Sequence, residues 1–192
     1  MSKNTIVVVD TCVLISNTLR FITLSLARKG YFHPVWSAII RDEWLRNASR
    51  LWHVERDALA LDWQQWDTDF PFANQGEMAD LQPWKSGLQY SDPKDWHVIA
   101  AARAAQSRFP EHKITILTRN IKDFNRSELA RLGITRIAPD AFFCAFLAHA
   151  AEDVNRILMQ LPQAVCSADK PVMPLTDLLK RERLFTFNKN RC

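Results

Sequence analysis

Apolar residues along this chain form two patterns, short continuous runs and longer stretches with helical spacing. The runs Thr5–Val9 and Lys113–Thr118 are uninterrupted and rich in β-branched residues, as in strands that are buried on both faces of a parallel sheet. Two shorter segments, His33–Trp36 and Thr135–Ile137, are predicted to add further strands. The pattern therefore predicts an α/β fold with a central parallel sheet.

Helices are predicted between these strands from apolar spacing and from residues that begin or end a helix. Gly30 and Gly133 favour helix ends, Ser37 and Asp92 favour helix starts, and Pro93 suits the first helical position. The predicted helices are Leu14–Lys29, Ile39 to about Leu51, Val54–Trp66, Glu77–Leu88, Pro93–Arg108, a helix between Phe124 and Gly133, Asp140–Gln160 and a short basic helix capped by Thr176. Loops are predicted at Phe70–Phe72 and Pro162–Pro174, and the many tryptophans are expected to serve packing.

Glu43 is predicted to lie on the apolar side of its helix. At about 100° per residue from Ile39, Glu43 falls at about 40° and the neighbouring Asp42 at about 300°. The apolar side of this helix, within roughly 140° of Ile39, consists of Ile40, Trp44 and Leu51. Glu43 therefore points where the hydrophobic residues point, and Asp42 does not.

Asp95 is predicted to occupy a similar position in a later helix. The residues that share its face are Val98, Ile99, Ala102, Ala105 and Phe109. Lys94 and His97 are predicted to point elsewhere. An ionised carboxylate on an apolar face costs several kcal/mol of desolvation unless it is paired or coordinates a cation. Glu43 and Asp95 therefore both require a partner.

Asp10 adds a third acid, because it directly follows the first strand. The carboxyl ends of parallel strands border the crevice in which α/β proteins bind ligands. Considered alone, Asp10 is typical of a turn or helix-cap residue. Glu43 or Asp95, considered alone, is typical of one half of an ion pair with an arginine. Taken together, acids that converge on one crevice repel each other, and Mg²⁺ or Mn²⁺ relieves this repulsion through oxygen ligands.

Cysteine and histidine are too dispersed to form a zinc site of recognised spacing. The chain contains Cys12, Cys144, Cys166 and Cys192, and His33, His53, His97, His112 and His149. We expect reduced, structural thiols and a metal held by oxygen. The start of the chain is too short and too quickly acidic for a signal peptide, and apolar stretches fall short of the roughly 18 residues of a membrane span, so we expect a cytoplasmic protein with no membrane partner.

Positive charge is concentrated at the end of the chain. Of 25 Lys and Arg and 21 Asp and Glu residues, six and two respectively lie in the last 23 positions, which leaves 19 of each elsewhere. This end, from Lys170 onward, suits either a phosphate backbone, an acidic protein or simple solvation.

Four segments in order resemble the motifs of PIN-domain ribonucleases, notably the VapC-like toxins of bacterial toxin–antitoxin modules. The segments are VVVDTCVL (7–14), WSAIIRDEWLRN (36–47), SDPKDWHVIAAA (91–102) and ILTRNIKDF (116–124). The resemblance covers about residues 4–143. It implies a three-layer α/β/α PIN-like fold over residues 1–145, and we expect residues 146–192 to form a helical, basic extension packed on the same domain.

The resemblance also implies a set of site residues. Asp10, Glu43 and Asp95 match the acids of the first three motifs, the same members of the acidic pairs that the helical angles select. In the fourth motif, Thr118 precedes Asn120, where the family often has Asp, and Asp123 follows three residues later, so either Asn120 or Asp123 completes the site. A second departure is Cys12, where the family commonly has Asn.

The implied activity is cleavage of RNA by activated water, with Asp10, Glu43, Asp95 and Asp123 holding Mg²⁺ or Mn²⁺ and with Thr118 and Asn120 orienting a ligand or water. The cations expected to hold the RNA backbone are Arg41, Arg46, Lys94, Arg119 and Lys122. The implied partners are RNA, a cognate antitoxin protein and a second copy of the chain, with the 141–151 helix or the tryptophan-rich middle as the homodimer interface.

One other class of function remains open at this point, and two more are disfavoured. A PIN-like fold that binds RNA or protein without cutting is compatible with Cys12 and Asn120. A phosphotransferase with Asp10 as nucleophile is disfavoured because Asp10-Thr-Cys12 lacks the second carboxylate of an Asp-x-Asp motif. A receiver-like phosphoacceptor is disfavoured because clustered acids do not precede the first strand.

Overall fold

A computed structural model describes residues 4–166 and 171–191 of the 192-residue chain. The first three residues, Lys170 of the basic end and Cys192 lie outside the described residues. The elements in chain order are β1 (Thr5–Val9), α1 (Thr11–Leu14), α2 (Asn17–Arg28), β2 (His33–Val35), α3 (Ala38–Trp52), α4 (Arg56–Asp69), α5 (Met78–Leu81), α6 (Trp96–Arg108), β3 (Lys113–Leu117), α7 (Arg126–Arg131), β4 (Ile134–Ile137), α8 (Pro139–Leu147), α9 (Ala151–Ala164), α10 (Leu175–Arg181) and α11 (Phe185–Asn190). Short 3₁₀ turns lie at Gln82–Lys85, Pro93–Asp95 and Ile121–Asp123.

The strands form a parallel sheet in the order β2-β1-β3-β4. Residues of β1 are fully buried, and each strand pairs in parallel with its neighbour: Val8 pairs with Val35 on one side and with Ile116 on the other. The predicted α/β fold with a central parallel sheet is confirmed, and the helices between the strands are consistent with a three-layer arrangement.

The strand order creates a crevice at the carboxyl end of β1 and β3. From β1 the chain continues to β2 on one side of the sheet, and β3 and β4 follow on the other side, so the direction of winding reverses between β1 and β3. Side chains just after these two strands lie at the point where parallel α/β proteins bind ligands. Asp10 follows β1 and Thr118 follows β3.

Five tryptophans pack together, as the sequence predicts for packing residues: Trp36, Trp44, Trp52, Trp63 and Trp66. The rings of Trp44 and Trp66 lie 4.8 Å apart, and those of Trp36 and Trp63 lie 5.4 Å apart. Trp44 is fully buried, and its Nε1 donates a hydrogen bond to the carbonyl oxygen of Leu14 at 3.2 Å. This bond ties α3, which carries Glu43, to the end of α1, which follows Asp10.

The last helices pack on the rest of the chain through an aromatic contact and two hydrogen bonds. The rings of Phe143 in α8 and Phe187 in α11 lie 5.6 Å apart. The carboxylate of Asp140 accepts hydrogen bonds from the backbone amides of Thr186 and Phe187 at 3.1 and 2.8 Å. The aromatic residues of α8 are buried within the chain, which argues against α8 as a homodimer interface.

Two predicted helices are each two helices in the structure. The helix predicted at Leu14–Lys29 begins as α1 and restarts as α2, because the Ser16 hydroxyl accepts the amide of Leu19 and caps a new helix. The helix predicted at Asp140–Gln160 ends at Leu147 and restarts at Ala151 as α9. Neither glycine nor proline marks this second break, so the apolar spacing hides it.

Proline explains most of the remaining differences. Pro83 interrupts the helix predicted at Glu77–Leu88, which is α5 followed by a 3₁₀ turn. Pro162 lies within the last turns of α9 rather than starting a loop. Pro174, not Thr176, precedes α10, and its carbonyl oxygen accepts the amides of Asp177 and Leu178. No helix formed by residues 4–166 and 171–191 is long and apolar enough to cross a membrane.

Candidate active site

Asp10 is a buried carboxylate that links β1 and β3. It caps α1 and is only 4% exposed. Its Oδ2 accepts hydrogen bonds from the Thr118 hydroxyl at 2.6 Å and from the Cys12 thiol at 3.1 Å. Burial raises the pKa of Asp10 despite these hydrogen bonds, and the nearby charge of Glu43 raises it further. The carboxylate is therefore held in one orientation, and its negative charge lacks full compensation.

Cys12 occupies the position where the resembling family commonly has Asn. Its Sγ lies 3.4 Å from Thr118 Oγ1 and accepts the backbone amide of Arg119 at 3.1 Å. Burial raises the pKa of the Cys12 thiol, and the adjacent charge of Asp10 raises it as well. Cys12 is therefore a neutral thiol that donates to Asp10 and accepts from the backbone of Arg119.

Glu43 reaches the same region from α3. Its Oε2 accepts a hydrogen bond from the Thr11 hydroxyl at 2.9 Å and lies 3.3 Å from His97 Nε2. His97 is the largest cause of a lowered pKa of Glu43; burial opposes this effect, and the Thr11 hydrogen bond supports it. Leu51, predicted to share the face of Glu43, is instead 55% exposed, because it lies in the last turn of α3.

His97 is a site residue that the sequence interpretation placed elsewhere. Its Nδ1 lies 2.8 Å from the carbonyl oxygen of Lys94, which only accepts, so the proton resides on Nδ1. The buried Nε2 lies 3.3 Å from Glu43 Oε2, outside the alignment of a hydrogen bond. The prediction was wrong because α6 packs against both the sheet and α3, so two of its faces are covered.

Asp95 lies at the start of α6, after a 3₁₀ turn that Asp92 caps by accepting the amide of Lys94. Burial raises the pKa of Asp95 to about 6, and the charges of Asp10 and Asp123 contribute to the increase. The charges of Asp10 and Asp123 therefore disfavour the ionised form of Asp95. Asp92 serves as a cap, as the sequence predicts.

In the fourth motif, Thr118, Asn120 and Asp123 take different positions. Thr118 is fully buried and donates to Asp10. Asn120 is exposed, and its backbone amide donates to Thr118 Oγ1 at 3.0 Å. Asp123 is partly buried, and its backbone carbonyl accepts the amide of Asp92 at 2.7 Å. Of the two alternatives for the fourth acid, Asp123 is the one whose charge acts on Asp95.

Glu128 holds the segment that leads into the third motif, and sequence reasoning missed it. This carboxylate is 6% exposed and accepts the backbone amides of Gln89, Tyr90 and Ser91 at 2.7, 3.2 and 3.1 Å. Burial raises the pKa of Glu128, but these hydrogen bonds outweigh burial, so the pKa is lowered overall. The available signal was Asn125, which caps α7 and places Glu128 at the N3 position of that helix.

The cations expected to hold RNA differ in their surroundings. Arg41 is paired with Asp42 at 3.3 Å, and Arg119 is paired with Glu182 at 3.1 Å. Arg46, Lys94 and Lys122 are exposed. The guanidinium of Arg119 is therefore already engaged by an acid of the C-terminal end.

The donor set suits a hard divalent cation, since it consists of carboxylate oxygens, and neighbouring carboxylates raise the pKa values of Asp10 and Asp95. Among residues 4–166 and 171–191, however, no three His, Cys, Asp or Glu side chains are already placed to hold a metal ion. Asp10, Glu43, Asp95 and Asp123 thus form an acidic cluster coupled through charge, and binding a cation would require their side chains to move closer together.

The raised pKa of Asp95 predicts a pH-dependent difference in stability. Because the folded-state pKa of about 6 exceeds the unfolded value of about 3.9, the contribution of Asp95 is fully present below about pH 4 and is lost as pH rises through 6. Asp95→Asn lacks this titration. We expect the unfolding temperature of Asp95→Asn to exceed that of the wild type by more at pH 7.5 than at pH 5.

Calorimetry of both proteins across this range measures the effect. Mg²⁺ or Mn²⁺ at pH 7.5 should narrow the difference, because a bound cation stabilises the charged cluster of the wild type. A difference in unfolding temperature that is the same at both pH values would contradict the coupling of Asp95 to its neighbours.

No family model, curated protein or solved structure matches this chain.

Proposed function

We propose that this chain is a metal-dependent endoribonuclease of the PIN-domain type, with a PIN-like three-layer fold. The observation that carries the proposal is the acidic cluster at the carboxyl ends of β1 and β3, in which Asp10 is buried and the pKa of Asp95 is raised by Asp10 and Asp123. Such an uncompensated cluster at a reversal of strand order is typical of a functional site.

In this proposal Asp10, Glu43, Asp95 and Asp123 hold Mg²⁺ or Mn²⁺. When bound, the cation lowers the pKa of an attacking water and stabilises charge on the phosphate. Thr118 and Cys12 orient Asp10, and Thr11 and His97 orient Glu43. Cleavage of the phosphodiester bond forms a P–O bond from water and releases the leaving oxygen as a hydroxyl.

The toxin role, a cognate antitoxin and a homodimer belong to the same proposal and rest on the resemblance of the four motifs. Growth arrest on expression, relieved by the product of an adjacent gene, would support the toxin role. Light scattering of the purified protein measures the homodimer directly.

A non-catalytic RNA- or protein-binding module is the second candidate. It is favoured by the hydrogen bonds from Thr118 and Cys12, which satisfy Asp10 Oδ2 without a cation. It is also favoured by the absence, within the part of the chain that the structure describes, of three side chains placed for a metal.

Incubation of the purified protein with a mixed cellular RNA pool tests the proposal. We expect cleavage with Mg²⁺ or Mn²⁺ and none with EDTA, because in this proposal the bound cation lowers the pKa of the attacking water. Cutting that persists in EDTA would contradict the metal dependence of the proposed activity. RNA binding without cutting under any of these conditions would favour the second candidate.

A further inference from the structure

The C-terminal hairpin, α10 and α11 (Leu175–Asn190), carries an exposed aromatic residue among cations. Phe185 is 60% exposed, although Leu184 before it and Phe187 after it are buried. The exposed cations of the hairpin are Lys180, Arg181, Arg183 and Lys189. Its two acids are Asp177, which is exposed, and Glu182, whose side chain is only 8% exposed.

The hairpin lies at the carboxyl ends of the strands, where the acidic cluster also lies. Glu182 pairs with Arg119, the residue that follows Thr118 at the carboxyl end of β3. The first turn of α11 donates two backbone amides to Asp140, three residues after the carboxyl end of β4. Phe185, at the start of α11, is therefore anchored beside the ends of two adjacent strands, on the edge that carries Asp10.

Arg183 has a backbone conformation that favours glycine. It is the residue between α10 and α11 with a φ of 59°, and its amide donates to the carbonyl oxygen of Lys180 at 2.9 Å. Side chains other than Gly, Asn and Asp are strained in this left-handed region. The turn itself does not need an arginine, so the side chain of Arg183 is available for another role.

We propose that the C-terminal hairpin binds single-stranded RNA, with a base stacked on Phe185 and with Arg183 and Lys189 on the phosphate backbone. Exposed aromatic rings between cations bind single strands, because every base has a stacking face and every linkage carries a negative charge. This inference rests on the proposed function and names its substrate class: the hairpin delivers an unpaired strand to the acidic cluster.

The ion pair between Arg119 and Glu182 is compatible with an RNA substrate, because an RNA phosphate can compete with Glu182 for Arg119. A phosphate that approaches the cluster along the hairpin meets Arg119 and Arg181, which Glu182 holds at 3.1 and 3.5 Å. Glu182 keeps both cations at the edge of the sheet, and the nearly neutral body of the chain contributes little attraction of its own.

Equilibrium binding of a labelled single strand of about 12 nucleotides tests the proposal. The measurement uses fluorescence anisotropy in the Asp10→Asn background with Mg²⁺, so that RNA is bound but not cut. We expect Phe185→Leu to weaken binding about 10-fold, because leucine keeps an apolar side chain and loses the stacking face. Phe72→Leu is the matched control, since Phe72 is 64% exposed and lies outside the hairpin.

The charges are tested by the double variant Arg183→Gln/Lys189→Gln. We expect weaker binding and a salt dependence whose logarithmic slope is smaller by about 1.4, since each phosphate contact on a single strand contributes about 0.7. The control is Lys113→Gln/Arg131→Gln, which removes two exposed cations near the amino-terminal ends of β3 and β4.

Arg183→Gly separates binding from folding. Glycine relieves the left-handed strain, so the unfolding temperature should stay the same or rise while RNA binding falls several-fold. Binding of single-stranded RNA that is unchanged in Phe185→Leu and in Arg183→Gln/Lys189→Gln would overturn the proposal and leave the hairpin as a surface for a protein.

Different results would overturn RNA binding by the C-terminal hairpin and the proposed nuclease activity. RNA binding that depends on Phe185, in a wild-type protein that never cuts RNA, would support the hairpin and overturn the nuclease. Metal-dependent cutting by the wild type, with binding insensitive to the hairpin variants, would overturn the hairpin alone.

Discussion

Asp10→Asn is expected to lower RNA cleavage by about 1000-fold or more while leaving the fold at least as stable as that of the wild type. Cation-assisted charge stabilisation is worth several kcal/mol, and each 1.4 kcal/mol changes the rate about tenfold. The amide has almost the same volume as the carboxylate and still accepts the Thr118 hydroxyl. It also removes a buried charge, and the raised pKa of Asp10 indicates that this charge is costly.

Initial rates of RNA cleavage and unfolding temperatures of the same preparations measure both parts of this prediction. Asp42→Asn is the matched control, because Asp42 lies next to Glu43 but is exposed and paired with Arg41. We expect it to cut RNA as the wild type does, whereas Glu43→Gln should share the loss. Full activity of Asp10→Asn would remove Asp10 from the site.

The sequence predicted the parts of the structure that local rules determine. Continuous β-branched runs placed the strands, and the caps Ser37 and Asp92 placed the starts of two helical segments. The position of Asp10 follows from the rule that carboxyl ends of parallel strands border a crevice. Helical angles put Glu43 on the side of α3 where the structure has it, in contact with Thr11.

The remaining features depend on contacts between residues far apart in the chain. Helical periodicity predicts one apolar face per helix, but two faces of α6 are covered by other elements. The periodicity therefore did not predict the contact between His97 and Glu43. The pairing of Arg119 with Glu182 joins residues 63 positions apart, and no local pattern marks it. The break between α8 and α9 has no glycine or proline, so composition alone could not reveal it.

Among the contacts between residues far apart in the chain, the hydrogen bonds of Glu128 are expected to affect the site most. The segment that it holds, 89–91, leads directly into Asp92 and Asp95. Ser91 is fixed twice more: its hydroxyl accepts the amide of Asn125 at 2.9 Å, and its carbonyl oxygen accepts Trp96 Nε1 at 2.9 Å. α7 therefore determines where α6 begins, and with it the position of the Asp95 carboxylate.

Glu128→Ala is expected to destabilise the fold by about 2–4 kcal/mol, because three backbone amides lose a charged acceptor in a largely buried position. We also expect the affinity for Mn²⁺ to fall about 10- to 100-fold, the usual cost of losing a residue that orients a ligand. Glu128→Gln should lie between Ala and the wild type in both measurements, since its amide oxygen still accepts one or two of these hydrogen bonds.

Destabilisation alone must be separated from misplacement of Asp95. Leu158→Ala provides the comparison, because Leu158 is 2% exposed in α9, and its truncation should cost a similar 2–5 kcal/mol without touching the 89–91 segment. Calorimetric titration with Mn²⁺, well below both unfolding temperatures, should show wild-type affinity for Leu158→Ala and reduced affinity for Glu128→Ala. Equal affinities in the two variants would show that Glu128 stabilises the fold without positioning Asp95.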